Sequence, residues 1–183
     1  MDCCTPMPPS RRFLAVRRVA RLRADYLASK PNISASRVLA DWETFRELAP
    51  HVDLFLYDIK HMDDEAHRRL TGAGNRRILD NLHGLFRMGK KVLIRMPLIP
   101  GLNDDPAGLG AAFAMLREEA VQGADIAGVE LLPYHRYGEG KYQLGRAYHC
   151  GAAPYPEERL EELKAFLAAR STEGLPLRLV RHA

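Results

Sequence analysis

Between residues 41 and 180 the chain alternates two hydrophobic periods, and that alternation restricts the fold more than any other feature. Predominantly apolar runs at Val52 to Tyr57, Val92 to Met96 and Gly128 to Leu132 have the length and the β-branched or aromatic content of buried strands. Between them lie stretches whose apolar residues recur every three or four positions. Examples are 75–88, with Ile78, Leu79, Leu82, Leu85 and Phe86, followed by 106–122 and 157–171. Asp41 to Leu48 reads as a short amphipathic helix stopped by Pro50, and Gly89 supplies a helix stop. His61-Met62-Asp63-Asp64 reads as a helix N-cap, and Asn103-Asp104-Asp105-Pro106 as a turn and cap before a helix, with a cation site as its alternative. Pro176 to Val180 reads as a last strand. Strand, helix, strand, helix at this spacing is the pattern of βαβ units, so the expected architecture is α/β with a parallel sheet and right-handed crossovers. Three strands are clear before the tail, too few for a whole barrel or doubly wound sheet.

Residues 1–40 differ from the rest. They are Pro-rich at the start, and Arg12 to Ala28 has loose helical spacing broken at Lys30-Pro31. The chain carries a net charge of +4, and residues 1–30 hold seven Lys and Arg against two Asp, leaving the body nearly neutral. Without aromatic interleaving or a binding motif, this reads as a solvated basic leader (1–40) ahead of the folded part (41–183), with no nucleic acid expected as partner. No apolar run nears the roughly 18 residues of a membrane helix, and no secretory signal pattern is present. Cys3, Cys4 and Cys150 form no disulfide framework or zinc spacing. The expectation is a cytoplasmic globular protein with no membrane partner.

Ligands of parallel α/β folds sit at the carboxyl ends of the strands. Just past those ends come Asp58 and Lys60, then Arg95, then Glu130, Tyr134 and His135. Each alone reads as an ordinary loop charge or a buried pair. Three strands repeating the pattern point to a site for an anionic or zwitterionic small molecule. His51, His61, His67, His83 and His149 lack ligand spacing and read as surface residues, and Cys150 as an inert thiol. No Walker loop, dinucleotide fingerprint or nucleophile elbow occurs.

The segments Leu54-Phe55-Leu56-Tyr57-Asp58-Ile59-Lys60-His61-Met62-Asp63, Thr71-Gly72, Asn75, Ile78 to Leu82, Ile94 to Asp104, Leu131 to Gly138, Lys141-Tyr142 and Gly145-Arg146 resemble the glycyl-radical-enzyme activating enzymes of the radical S-adenosylmethionine superfamily. The likeness runs in order from about Asp41 to Val180. It implies the C-terminal half of a partial (β/α) radical-SAM TIM-like barrel, with the three strands as its fourth, fifth and sixth. By the same resemblance Asp58 and Lys60 line the S-adenosylmethionine site, Arg95 faces the methionyl carboxylate and His135 lies near the ribose. The resemblance implies S-adenosylmethionine and a [4Fe-4S] cluster as cofactors. Their chemistry in the family makes a 5′-deoxyadenosyl radical that takes hydrogen from a glycine of a partner glycyl radical enzyme.

The family's Cys-x3-Cys-x2-Cys motif and its Gly-Gly-Glu motif are absent from the 183 residues, and Cys3-Cys4 lacks the spacing. The expectation is therefore an incomplete, inactive fragment, from a truncated or frame-disrupted gene, or else a half-barrel completed by a second chain carrying the N-terminal half. Half a barrel is also expected to expose interior-facing apolar residues. Two other classes stand beside this one: an aldolase-like α/β enzyme with Lys60 as Schiff-base lysine, and a non-catalytic binding module using the basic head. Iron content and S-adenosylmethionine binding, borohydride trapping, and salt-dependent nucleic-acid retention separate the three.

Overall fold

The computed structural model describes residues 19–22, 41–134, 153–171 and 175–180, the first of these as backbone only. Five strands form one sheet: β1 (Val19–Leu22), β2 (Leu54–Asp58), β3 (Val92–Leu98), β4 (Ile126–Pro133) and β5 (Leu177–Leu179). They lie side by side in chain order, and all four pairings are parallel. Helices connect them: α1 (Trp42–Leu48), α2 (Asp64–Thr71), α3 (Arg76–Arg87), α4 (Pro106–Val121) and α5 (Glu157–Ser171). Sequential order with parallel pairing is the winding of a (β/α) barrel segment.

The three strands expected from apolar runs are present, and Pro176 to Val180 contains β5. One expectation is corrected: Val19–Leu22, inside the stretch read as an Arg-rich helix, is the strand β1, which brings the sheet to five strands. A helix with loose apolar spacing is marginal on its own. The free edge of β2 instead offers Val19 to Leu22 a ladder from Val19 beside Leu54 to Leu22 beside Tyr57.

Strand alternation assigns the two faces of the sheet. Phe55, Tyr57 and Ile59, with Val92, Ile94, Met96 and Leu98, and with Val129 and Leu131, form the fully buried face in one core with Leu82, Leu85, Leu109, Phe113, Leu116, Leu163 and Leu167 of the helices. Phe45 seats α1 on this face, its ring 6.5 Å from Phe55 and 6.1 Å from Tyr57. Trp42 lies over Gly84 of α3 so closely that a Cβ there would overlap the indole. Phe113 and Phe166 bring α4 and α5 together at 6.1 Å.

The opposite face carries Leu54, Leu56 and Asp58, then Leu93, Arg95 and Pro97, then Glu130. Its leucines are half-buried, and the exposed large apolar side chains among the described residues, Leu48, Met88, Leu102 and Val121, all lie off the sheet.

One irregularity aligns the polar residues. Between β3 and β4 the register runs Val92 to Ile126 and then Leu93 to Gly128, so Ala127 is an extra residue. A one-residue shift exchanges the two faces of a strand, and this bulge therefore sets Glu130, rather than Val129, beside Arg95. Gly128 follows with φ 149°, and a Cβ there would come within 3.1 Å of the Pro176 carbonyl where β5 begins.

Candidate functional site

Parallel register lines up Asp58, Arg95, Glu130 and Arg178 across four adjacent strands, an alternating row of acid and base on one face. Its centre is Asp58 and Arg95. Their side chains are only 10% and 8% exposed, and Arg95 Nη1 stands 3.8 Å from Asp58 Oδ1, an ion pair too long for a hydrogen bond. Nη1 is buried and has no hydrogen-bond partner among the described residues. A buried guanidinium N–H without an acceptor is costly, and it is the geometry expected where an anionic ligand group completes the site.

Beyond Asp58 the ladder gains one more bond, Ile59 N–H to the Arg95 carbonyl at 2.9 Å, and the chain then turns away as a loop carrying Lys60. Lys60 is half-buried. The structure thus brings Asp58 and Arg95 into contact and puts Lys60 two residues past the strand end. His135 lies outside the described residues, two positions after β4 ends at Pro133. Cys3, Cys4, Cys150 and His149 also lie outside them.

Asn103 and Asn75 are the site residues that sequence reasoning missed. Both are buried. Asn103 Nδ2 donates to the Lys60 carbonyl and to the Pro97 carbonyl, each at 2.8 Å, while its Oδ1 accepts from Ile99 N–H at 2.6 Å. Asn75 Nδ2 donates to the His61 carbonyl at 3.0 Å and the Met62 carbonyl at 2.5 Å. In the sequence both sit in turn-like surroundings, where an asparagine reads as a cap. The neighbouring acids do cap helices: Asp63 Oδ1 accepts from Ala66 N–H at 2.7 Å, and Asp105 Oδ1 from Gly108 N–H at 2.7 Å. Asp104 is buried, accepts from Gly101 N–H at 2.8 Å and meets Arg159 at 3.5 Å, which ties the loop after β3 to α5. Burial, with Asp104 nearby, pushes the Tyr155 phenol up.

His67, read from the sequence as a surface residue, is buried. Its Nδ1 lies 2.7 Å from the Ala73 carbonyl, which can only accept, so Nδ1 carries the hydrogen. Burial holds its pKa below the ordinary histidine value, and the nearby Lys60 charge pushes the same way. Among the described residues no group of three or more His, Cys, Asp or Glu side chains is arranged to hold a metal ion.

A segment of a parallel (β/α) barrel with a buried acid–base pair at its carboxyl edge defines the class. No protein-family model matches the chain. It is 39% identical over 132 residues to the isethionate sulfite-lyase activating enzyme of Nitratidesulfovibrio vulgaris, which covers 70% of this chain and 41% of that protein. It is 38% identical over 145 residues to the choline trimethylamine-lyase activating enzyme of Oleidesulfovibrio alaskensis (78% and 46%), and 42% identical over 123 residues to the benzylsuccinate synthase activating enzyme of Thauera aromatica (65% and 36%). Among solved structures, a domain of a pyruvate-formate lyase-activating enzyme from Bacteroides vulgatus shares the fold, with a TM-score of 0.57 at 22% identity over 80% of this chain and 78% of that one. A radical SAM methyltransferase from Sphaerobacter thermophilus does so with a TM-score of 0.51 at 20% identity over 76% and 38%. Over these residues the chain is similar to glycyl-radical-enzyme activating enzymes, and it spans less than half the length of the curated relatives it matches.

Proposed function

We propose that this chain supplies the S-adenosylmethionine-holding side of an activating enzyme that installs a glycyl radical on a partner enzyme. The observation that carries the proposal is Arg95, whose buried Nη1 has no hydrogen-bond partner among the described residues at the carboxyl edge of the sheet. S-adenosylmethionine is a zwitterion with a sulfonium, and its carboxylate fits that guanidinium. In this reading Arg95 binds the carboxylate, Asp58 orients Arg95 and balances its charge, Lys60 adds a second cation, and His135 closes the ribose side. The bound cofactor supplies the hydrogen-abstracting group and a [4Fe-4S] cluster supplies the electron. Cys3, Cys4 and Cys150 do not have the family's ligand spacing and do not fit the cluster. The division into a basic leader over residues 1–40 and a half-barrel over 41–183 belongs to the same proposal, with Val19–Leu22 attached to the sheet edge. So does a cytoplasmic location: no described helix is long and apolar enough to cross a membrane, and cell fractionation tests the compartment.

Titration calorimetry of the 183-residue chain with S-adenosylmethionine tests the reading. A charge-assisted hydrogen bond contributes about 1.5–3 kcal/mol, so Arg95→Ala should weaken binding by roughly tenfold or more. Equal affinity in the parent and Arg95→Ala would overturn it.

A further inference from the structure

We propose that Asn103 and Asn75 are positioning residues that hold Lys60 for the ligand, acting together as a clamp on three consecutive backbone carbonyls. The inference rests on the reading of Lys60 as a ligand-binding cation.

The carbonyls of Lys60, His61 and Met62 all accept from buried asparagine amides, the first from Asn103 and the next two from Asn75. Carbonyls in a surface loop are ordinarily satisfied by water. Here the protein satisfies three in succession, from donors that lie in two different connections of the barrel. Asn103 comes from the loop after β3, and Asn75 from the N-terminal end of α3.

The ladder between β2 and β3 ends at the bond from Ile59 N–H to the Arg95 carbonyl. One residue later Asn103 takes over, since its two N–H groups reach Lys60 on one strand's continuation and Pro97 on the other. Both donors of the amide are used, and its oxygen takes Ile99 N–H. No other side chain of that size offers two donors and one acceptor in this shape. Aspartate would turn a carboxylate toward two carbonyl oxygens, and leucine would leave three buried backbone groups unpaired.

Asn75 is anchored in turn, its own N–H donating to Asp64 Oδ1 at 2.7 Å. Asp64 also pairs with Arg68 at 2.8 Å. The peptide planes on the carboxyl side of residues 60, 61 and 62 are thus fixed from both flanks, which fixes the Cα of Lys60 and the root of its side chain. A flexible four-carbon stem loses much of its rotational freedom on binding, and a rigid root reduces what remains to be ordered when a ligand arrives.

The test uses the full chain and begins without ligand. Hydrogen–deuterium exchange of peptides spanning residues 59–63 is compared in the parent, Asn103→Ala and Asn75→Ala, with β3 and α4 peptides as internal references. The clamp predicts exchange at 59–63 faster by roughly fivefold or more in each variant, with the references unchanged. Unchanged exchange at 59–63, or an equal rise everywhere, overturns it. Asn75→Ala decides the matter should Asn103→Ala not fold.

Calorimetry with S-adenosylmethionine then separates positioning from bulk stability. Asn103→Ala should weaken binding several-fold in the parent and have no further effect in a Lys60→Met background, because it acts through that side chain. The same loss in both backgrounds overturns the assignment to Lys60. Failure of Arg95→Ala to affect binding would instead overturn the reading of the site, and the exchange result would still judge the clamp.

Discussion

Replacing Arg95 by methionine leaves Asp58 buried opposite an apolar side chain, and the structure sets the size of the effect. At 3.8 Å and an effective dielectric of about 20, the pair attraction is about 4 kcal/mol. That agrees with the roughly 3–5 kcal/mol lost when one member of a buried ion pair is removed. Arg95→Met alone should therefore lose about 3 kcal/mol at pH 7. The double variant Asp58→Leu with Arg95→Met should recover nearly all of it or exceed the parent, since burying two charges costs as much as their attraction returns. Urea unfolding followed by circular dichroism measures all four corners of the cycle, with equal slopes as the check that the unfolded state is unaltered. A single variant within about 1 kcal/mol of the parent, or a double variant no more stable than the single, would rule out a costly buried ion pair. A pair that can be replaced without loss of stability is retained for binding.

Gly84→Ala forces a Cβ into the Trp42 indole and should cost about 1–3 kcal/mol, read by thermal unfolding, with quenched or shifted Trp42 fluorescence as the local signature. His67 is held below the ordinary histidine value mainly by burial. The unfolded chain therefore protonates first, and stability should be intact above about pH 6.5 and fall as pH drops from there through the folded value. His67→Gln should flatten that slope in denaturant titrations between pH 7 and pH 5; an unchanged slope would count against the buried neutral imidazole.

Strands β2, β3 and β4 were legible because a strand buried in a parallel sheet is a mostly apolar run. Asp58 and Arg95 were legible because each interrupts or ends such a run with a charge where a purely structural strand has no need of one. The strand at Val19–Leu22 was not, since four residues with an arginine among them carry no period, and only the β2 edge selects their conformation. Nor was the bulge at Ala127, which decides that Glu130 rather than Val129 lies beside Arg95. Its one trace is Gly128, which in the sequence reads as the start of the strand. Asn103 and Asn75 were hidden for a different reason: an asparagine in a turn looks the same whether it caps its own helix or, as here, bonds carbonyls from 13 to 43 residues away. His67 looked like a surface histidine because its helix carries Arg68 and Arg69 beside it, and burial on one side of such a helix leaves little trace in composition.

Ultraviolet photo-crosslinking tests whether the carboxyl edge of this sheet holds S-adenosylmethionine. The full chain would be irradiated with radiolabelled S-adenosylmethionine, digested and mapped by mass spectrometry. Adducts are expected in the peptides around residues 58–62 and 95–104, lost in Arg95→Ala and competed by unlabelled S-adenosylmethionine. Saturable labelling elsewhere, or labelling at the edge that survives Arg95→Ala, would contradict binding there.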